Sequence, residues 1–296
     1  MAPRHFALSL ACSALWLSAA PAGAAASGAS ASVFVSGSSV NDTKSGGATG
    51  VQASAAQTVP SPAGDVFVSA QASSGSASLG MAGVARSTGA PGGVQARASA
   101  TWADSFTILA PGMAAGMAAG ATGTFSGAVE VSGDLSFSFI GRVYADTFVG
   151  ATVDIFPGTG FNGGRTVVTG GARRFGGYDI ADGVFGTERF SLVFGSVPFT
   201  FGQRIDLSLS MTMVAAIDVI DAGSTGRADA SYGHTLTWGG LSEVRDAGGQ
   251  RVLGYSAPSQ SFEFNYAPVP EPTASLLLIS GLVGLAGVIK RRRRLA

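Results

Sequence analysis

Residues 205–213 alternate without a break. Ile205, Leu207, Leu209, Met211 and Met213 take one parity, and Asp206, Ser208, Ser210 and Thr212 take the other. Successive side chains of an extended chain leave on opposite sides, so this pattern makes one dry face and one wet face. A helix would scatter the same residues around its axis. A strand with a single dry face has to cover it with a second layer. The parity recurs elsewhere. Val94, Ala96, Ala98, Ala100 and Trp102 share one phase, and Leu135, Phe137 and Phe139 alternate with Ser136, Ser138 and Ile140. Residues 151–156 and 165–169 flank Asn162-Gly163, a pair suited to a tight turn. Residues 106–109 end one strand, and 235–238 and 261–266 supply short ones. No comparable helical stripe is visible. The expected fold is all-β, an antiparallel sandwich that is jelly-roll-like or Ig-like, over residues 101–267.

Residues 27–100 are compositionally simpler. Between 71 and 100, 20 of 30 residues are Ala, Gly or Ser, and none is aromatic. Two readings stand: a disordered Ala/Gly/Ser-rich spacer, or close-packed strands with small side chains. Val33-Phe34-Val35, Val66-Phe67-Val68 and the run from Val94 to Trp102 favour a partly stranded segment.

Charge and cysteine content exclude several classes of function. The 18 basic and 18 acidic residues cancel. With Arg4, the cations at 290–294 and Glu271 set aside, 12 basic and 17 acidic residues remain, so the body carries −5. An acidic body is a poor phosphate binder, and no nucleic-acid partner is expected. The single thiol, Cys12, lies near the start, so the body has no disulfide, Cys-ligated zinc or thiol catalyst.

The two ends read as addresses. Arg4 and His5 precede an apolar run at 6–17, Pro21 breaks any helix, and small residues follow. This is the pattern of a signal peptide over 1–26, cut by signal peptidase near Ala24 or Ala26. Near the other end, Pro270-Glu271-Pro272 precedes an apolar stretch at 274–289, and then Lys290 and Arg291 to Arg294. Sixteen helical residues rise ~24 Å, at the thin limit of a membrane span. Nine of the sixteen are Leu, Ile or Val, contributing about −3 to −5 kcal/mol on an insertion scale. Five cations hold that terminus in the cytoplasm by the positive-inside rule, which leaves the body outside.

The order Pro-Glu-Pro, short Gly-containing span, Arg cluster resembles the PEP-CTERM sorting signal of Gram-negative bacteria, here over 268–296. The resemblance implies that Pro270, Glu271 and Pro272 form the recognition motif, 276–289 the span, and Arg291, Arg292, Arg293 and Arg294 the basic stop. It implies an exosortase partner, an integral-membrane transpeptidase-like enzyme thought to remove the tail, and an association with exopolysaccharide and biofilm. Residues 228–249 also resemble the C-terminal hairpin of sandwich domains in such proteins, through the run Ser231 to Trp238 and the turn-rich Asp246 to Gly249.

Candidate chemistry in the body is sparse. Gly158, Gly160 and Gly163 match G-x-G-x-x-G by letters, but a strand follows where a dinucleotide site needs a helix, so a hairpin turn is expected. His234 is the body's only histidine, and no G-x-S-x-G elbow accompanies it. Asp218, Asp221 and Asp229 flank a Gly/Ser/Thr loop and are the candidate cation ligands, although their spacing is not that of a twelve-residue calcium loop. Asp146, Asp154, Asp179, Asp182 and Glu188 are the carboxylates open to a hydrolase. Phe175, Tyr178, Phe185, Phe190, Phe194, Phe199 and Phe201, interleaved with Arg173, Arg174, Arg189 and Arg204, could stack and pair with an acidic polysaccharide or simply pack a core.

The expectation from sequence is therefore a non-enzymatic exported protein with no cofactor and no catalytic residues. Its precursor is held in the inner membrane by the C-terminal helix, and its mature form belongs to the cell envelope or extracellular matrix. The role is structural or adhesive. The alternatives are a calcium-dependent carbohydrate-binding module and a secreted hydrolase.

Overall fold

The computed structural model describes residues 26–47, 50–75, 78–112, 120–158, 165–177, 182–261 and 265–267. Its regular elements are twelve strands: β1 (Ala26–Val35), β2 (Ser38–Gly46), β3 (Val51–Val59), β4 (Val66–Gly75), β5 (Ser78–Ser87), β6 (Gly92–Thr107), β7 (Thr122–Ile140), β8 (Val143–Pro157), β9 (Thr166–Gly177), β10 (Asp182–Thr200), β11 (Arg204–Val219) and β12 (Thr225–Asp246). They form two antiparallel six-stranded sheets packed face to face. The first runs β2-β1-β6-β11-β8-β9 and the second β10-β7-β12-β5-β4-β3.

The pairing is nested. β8 pairs β9, β7 pairs β10, β6 pairs β11 and β5 pairs β12. The last eight strands thus behave as a ribbon folded back on itself, with its pairs dealt between the two sheets. β1 and β4 then extend the sheets beyond β6 and β5. The compositional change at residue 100 falls inside β6, so the small-residue segment and the rest of the chain share both sheets.

The period-two pattern places the core between the sheets. Ile205, Leu207, Leu209, Met211 and Met213 of β11 are all buried, and their polar neighbours face out. The filling changes along the sandwich. Under β1, β4, β5 and the first half of β6 it is rich in small groups, including Ala29, Ala31, Ala70, Ala72, Ala85, Ala96 and Ala98. The layers approach closely there. A Cβ added at Gly83 would lie 2.4 Å from Met213 Cε and 3.2 Å from the Ala96 Cβ of the opposite sheet. The alanines that made residues 27–100 ambiguous in sequence are what this close approach requires.

Farther along, the core is aromatic. Phe125 packs edge-on against Phe106, Phe194 and Phe199 at centroid separations of 6.0, 6.0 and 5.7 Å. Each buried ring contributes roughly 1.5–3 kcal/mol of transfer free energy. The lateral edges are joined across the sheets. The Ser54 backbone amide of β3 donates to Asp42 Oδ2 of β2 at 3.0 Å, and the Gln57 side-chain Nε2 donates to Ser38 Oγ at 2.7 Å. At the other edge Arg174 of β9 pairs with Glu188 of β10. These contacts fasten edge strands that would otherwise offer free backbone groups to another chain.

After β12 the chain reverses at Asp246 and Gly249 and runs back along the body. The Asp246 amide donates to the Gln250 carbonyl at 2.9 Å and the Val252 amide to the Val244 carbonyl at 2.8 Å. Isolated bridges then join Leu109 to Ser256 and Phe106 to Ser259. The expected strand at 261–266 appears among the described residues only as the bridge between Pro258 and Asn265.

Candidate functional site

The three candidate cation ligands are not brought together. Asp218 lies next to the end of β11 and faces outward from the first sheet, between buried Ile217 and Val219. Asp229 faces outward from the second sheet, flanked by buried Ala228 and Ala230. The core separates them. Asp221, in the connecting turn, meets Arg142 at 3.4 Å. Arg227 grips Asp229 with two bonds of 2.7 and 2.9 Å. Among the described residues, no group of three or more His, Cys, Asp or Glu side chains could share a metal ion. Asp218 is half-buried, and desolvation holds its carboxyl above the ordinary value.

Three of the five hydrolase candidates, Asp146, Asp154 and Glu188, are engaged by arginines. Arg173 binds Asp146 through bonds of 2.8 and 2.6 Å. Arg165 binds Asp154 at 3.0 and 2.5 Å, and Arg174 binds Glu188. Asp146 and Asp154 share the outer face of β8 but lie eight residues apart, ~27 Å along an extended strand. That is far beyond the separation two carboxylates need across one glycosidic bond. Asp179 lies outside the described residues, and Asp182 opens β10.

The aromatic stretch divides. Phe194, Phe199 and Phe201 belong to the core, and Phe190 packs partly against it. Phe175 is 64% exposed on the outer face of β9. Tyr178 lies outside the described residues. Arg204 is held by Asp206 at 2.6 Å. Sequence grouping missed the partners that Phe175 does have. Tyr144 of β8 stacks on it, with centroids 6.4 Å apart and planes at 24°, and Phe148 lies four residues farther along the same face of β8. The available signal was the alternation Tyr144, Asp146, Phe148, Gly150 and Thr152, which marks the wet face of β8.

A buried polar knot also went unnoticed. Asp104 sits at an apolar position of β6 between Trp102 and Phe106 and is 5% exposed. Its Oδ2 accepts bonds of 2.6 Å from both Ser259 Oγ and the Tyr266 hydroxyl, while Oδ1 is buried with no hydrogen-bond partner among the described residues. Burial first, then the Asp104 charge, pushes the Tyr266 hydroxyl far above its usual pKa, so it acts as a donor. The Tyr266 ring lies 4.6 Å from Phe106 and 5.4 Å from Trp238. Asp104 and Tyr266 therefore pin the returning segment to the body just before residue 268.

Other candidates fall beyond description. His234 lies within β12. Gly158 has φ +95° at the end of β8, but the remainder of the glycine motif, including Gly160 and Gly163, lies outside the described residues. So does the tail with Pro270, Glu271, Pro272 and Arg291 to Arg294. Among the described residues, no helix is long and apolar enough to cross a membrane.

Comparison with known proteins supplies no relative that carries an argument. No family model matches the chain, and no curated protein matches it. Among solved structures, one of the infectious bursal disease virus Gx strain is 12% identical over 73% of this chain and 67% of that chain, with a TM-score of 0.13. One of the Gt strain is 16% identical over 74% and 68%, with a TM-score of 0.11. At those scores the overlap says nothing about this fold.

Proposed function

We propose that this chain is an exported structural or adhesive protein of the cell envelope or extracellular matrix, working in or near exopolysaccharide. An exosortase sorts it through the tail. The observation that carries the reading is the order of Pro270-Glu271-Pro272, apolar run and Arg291 to Arg294, directly after a segment that the Tyr266 and Asp104 bond ties to the sandwich. The precursor, freed of its leader by signal peptidase, rests in the inner membrane through 274–289 with the sandwich outside. Cutting near the motif releases a body whose own end stays fastened.

The nested strand order supports a jelly roll rather than an Ig-like sandwich, with β5 to β12 as its eight strands. The sealed edges and arginine-bound carboxylates support a load-carrying or adhesive body over a hydrolase. The placement of Asp218 and Asp229 on opposite faces weighs against the calcium-dependent module.

Changing Glu271 to Ala tests the sorting step. The variant should accumulate as an uncut, membrane-held precursor. Release at the normal mass would remove the basis for an exosortase.

A further inference from the structure

We propose that the outer face of the first sheet, over β8 and β9, is a docking platform for a neutral glycan chain, with Tyr144, Phe148 and Phe175 as its stacking surfaces. The proposal rests on the matrix reading above and names the face that would serve it.

Glycines shape the platform. Gly150 lies two residues beyond Phe148 on β8, and its partner across the ladder is Gly171 of β9. A Cβ at Gly150 would lie 2.8 and 3.2 Å from the Phe148 ring, and one at Gly171 would lie 3.4 Å from it. The ring therefore rests over backbone that carries no side chain. Tyr144 does the same over Gly177, where a Cβ would lie 2.6 and 3.1 Å from its ring. Tyr144 and Phe148 are both partly exposed on this face, so part of each ring is open to a ligand. Phe175 stacks on Tyr144, and the Arg173 guanidinium lies 5.9 Å from the Phe175 ring while also binding Asp146. Three aromatics are thus fixed in place before any partner arrives.

The surroundings fit sugar. A pyranose offers an apolar C–H face to a ring and hydroxyls around its rim. Beyond Phe148 the same face continues as hydroxyls in register: Thr152 opposite Thr169, Thr152 opposite Ser210, and Ser210 opposite Thr101. Charge selects the class. Outward Asp146, Asp154, Asp206 and Asp218 balance outward Arg173, Arg165, Arg204 and Arg97, and the first three are held by the first three arginines. A face with no net charge has little to offer an acidic polymer.

The test is affinity electrophoresis of the secreted protein in gels containing hydroxyethylcellulose, dextran, galactomannan or laminarin, with alginate as the acidic arm. The proposal predicts retardation by at least one neutral polymer. Phe148→Ala and Phe175→Ala should each weaken the apparent association about tenfold or more. Phe148→Tyr should keep it, and Phe67→Ala on the outer face of the second sheet should leave it unchanged. Circular dichroism confirms that each variant is folded. Retardation by none of the four neutral polymers, by alginate alone, or equally by the platform variants would overturn the proposal. Recovery from the culture's own exopolysaccharide separates the two ideas. If the platform variants are retained there as well as the parent, the platform fails alone. If the parent is absent from that material, the matrix reading fails.

Discussion

Two acidic residues mark the difference between a polar group the fold uses and one it tolerates. Asp104 is buried yet serves as the acceptor for Ser259 and Tyr266. Asp218 is half-buried with no ion pair among the described residues, and desolvation lifts its pKa above 3.8. The folded protein therefore binds that proton more tightly than the unfolded chain, so this residue's contribution to stability falls as pH rises through the lifted value. Asp218→Asn removes the ionisation. It should melt at a higher temperature than the parent at pH 7, and the advantage should vanish as pH drops below 3.8. Thermal unfolding at both pH values checks this, and a gain unchanged with pH would assign the effect to something other than ionisation. Asp221 and Asp229, although near in sequence, are occupied by Arg142 and Arg227. Their engagement depends on which sheet each residue joins, and spacing along the chain does not reveal it.

At the level of elements, the segment 251–267 works as a strap. It reaches back over the aromatic core, and its Tyr266 fills the space between Phe106 and Trp238. Tyr266→Phe keeps the ring but removes one donor to a buried carboxylate, which should cost about 1–3 kcal/mol by the usual penalty for a lost buried bond. Urea unfolding measures it, and an unchanged midpoint would mean the hydroxyl adds nothing to the strap. Strands were the most legible elements, because one buried face enforces parity: the β11 alternation appears in the structure residue for residue. The alanine-rich strands β1 to β6 were harder to read. Small side chains give weak contrast between faces, and only the nearness of the opposite sheet at Gly83 explains why they are small. The platform was partly hidden for a related reason. Phe175 stood out as an aromatic, while Phe148 acquires its meaning from glycines, one of them on a neighbouring strand. The strap was hidden because its described residues are held by isolated bridges, scattered backbone bonds and side-chain bonds, none of which leaves a periodic signal.

At the level of the whole molecule, a two-sheet body stands between a leader and a tail that are both proposed to be removed. The body needs no disulfide because the space between its sheets buries an extensive apolar core, rich in alanine under β1, β4 and β5 and aromatic farther along. Its edges are tied by Asp42 and Ser54 on one side and by Arg174 and Glu188 on the other. Tyr266 precedes Pro270 by four residues in sequence, so the proposed cut near the motif would keep the Asp104 bond within the body. The direct measurement is the intact mass of the protein recovered from outside the cells. The account predicts a species lacking both the leader at 1–26 and the apolar and arginine segments beyond Pro272. A secreted species that still carries Arg291 to Arg294 would contradict it.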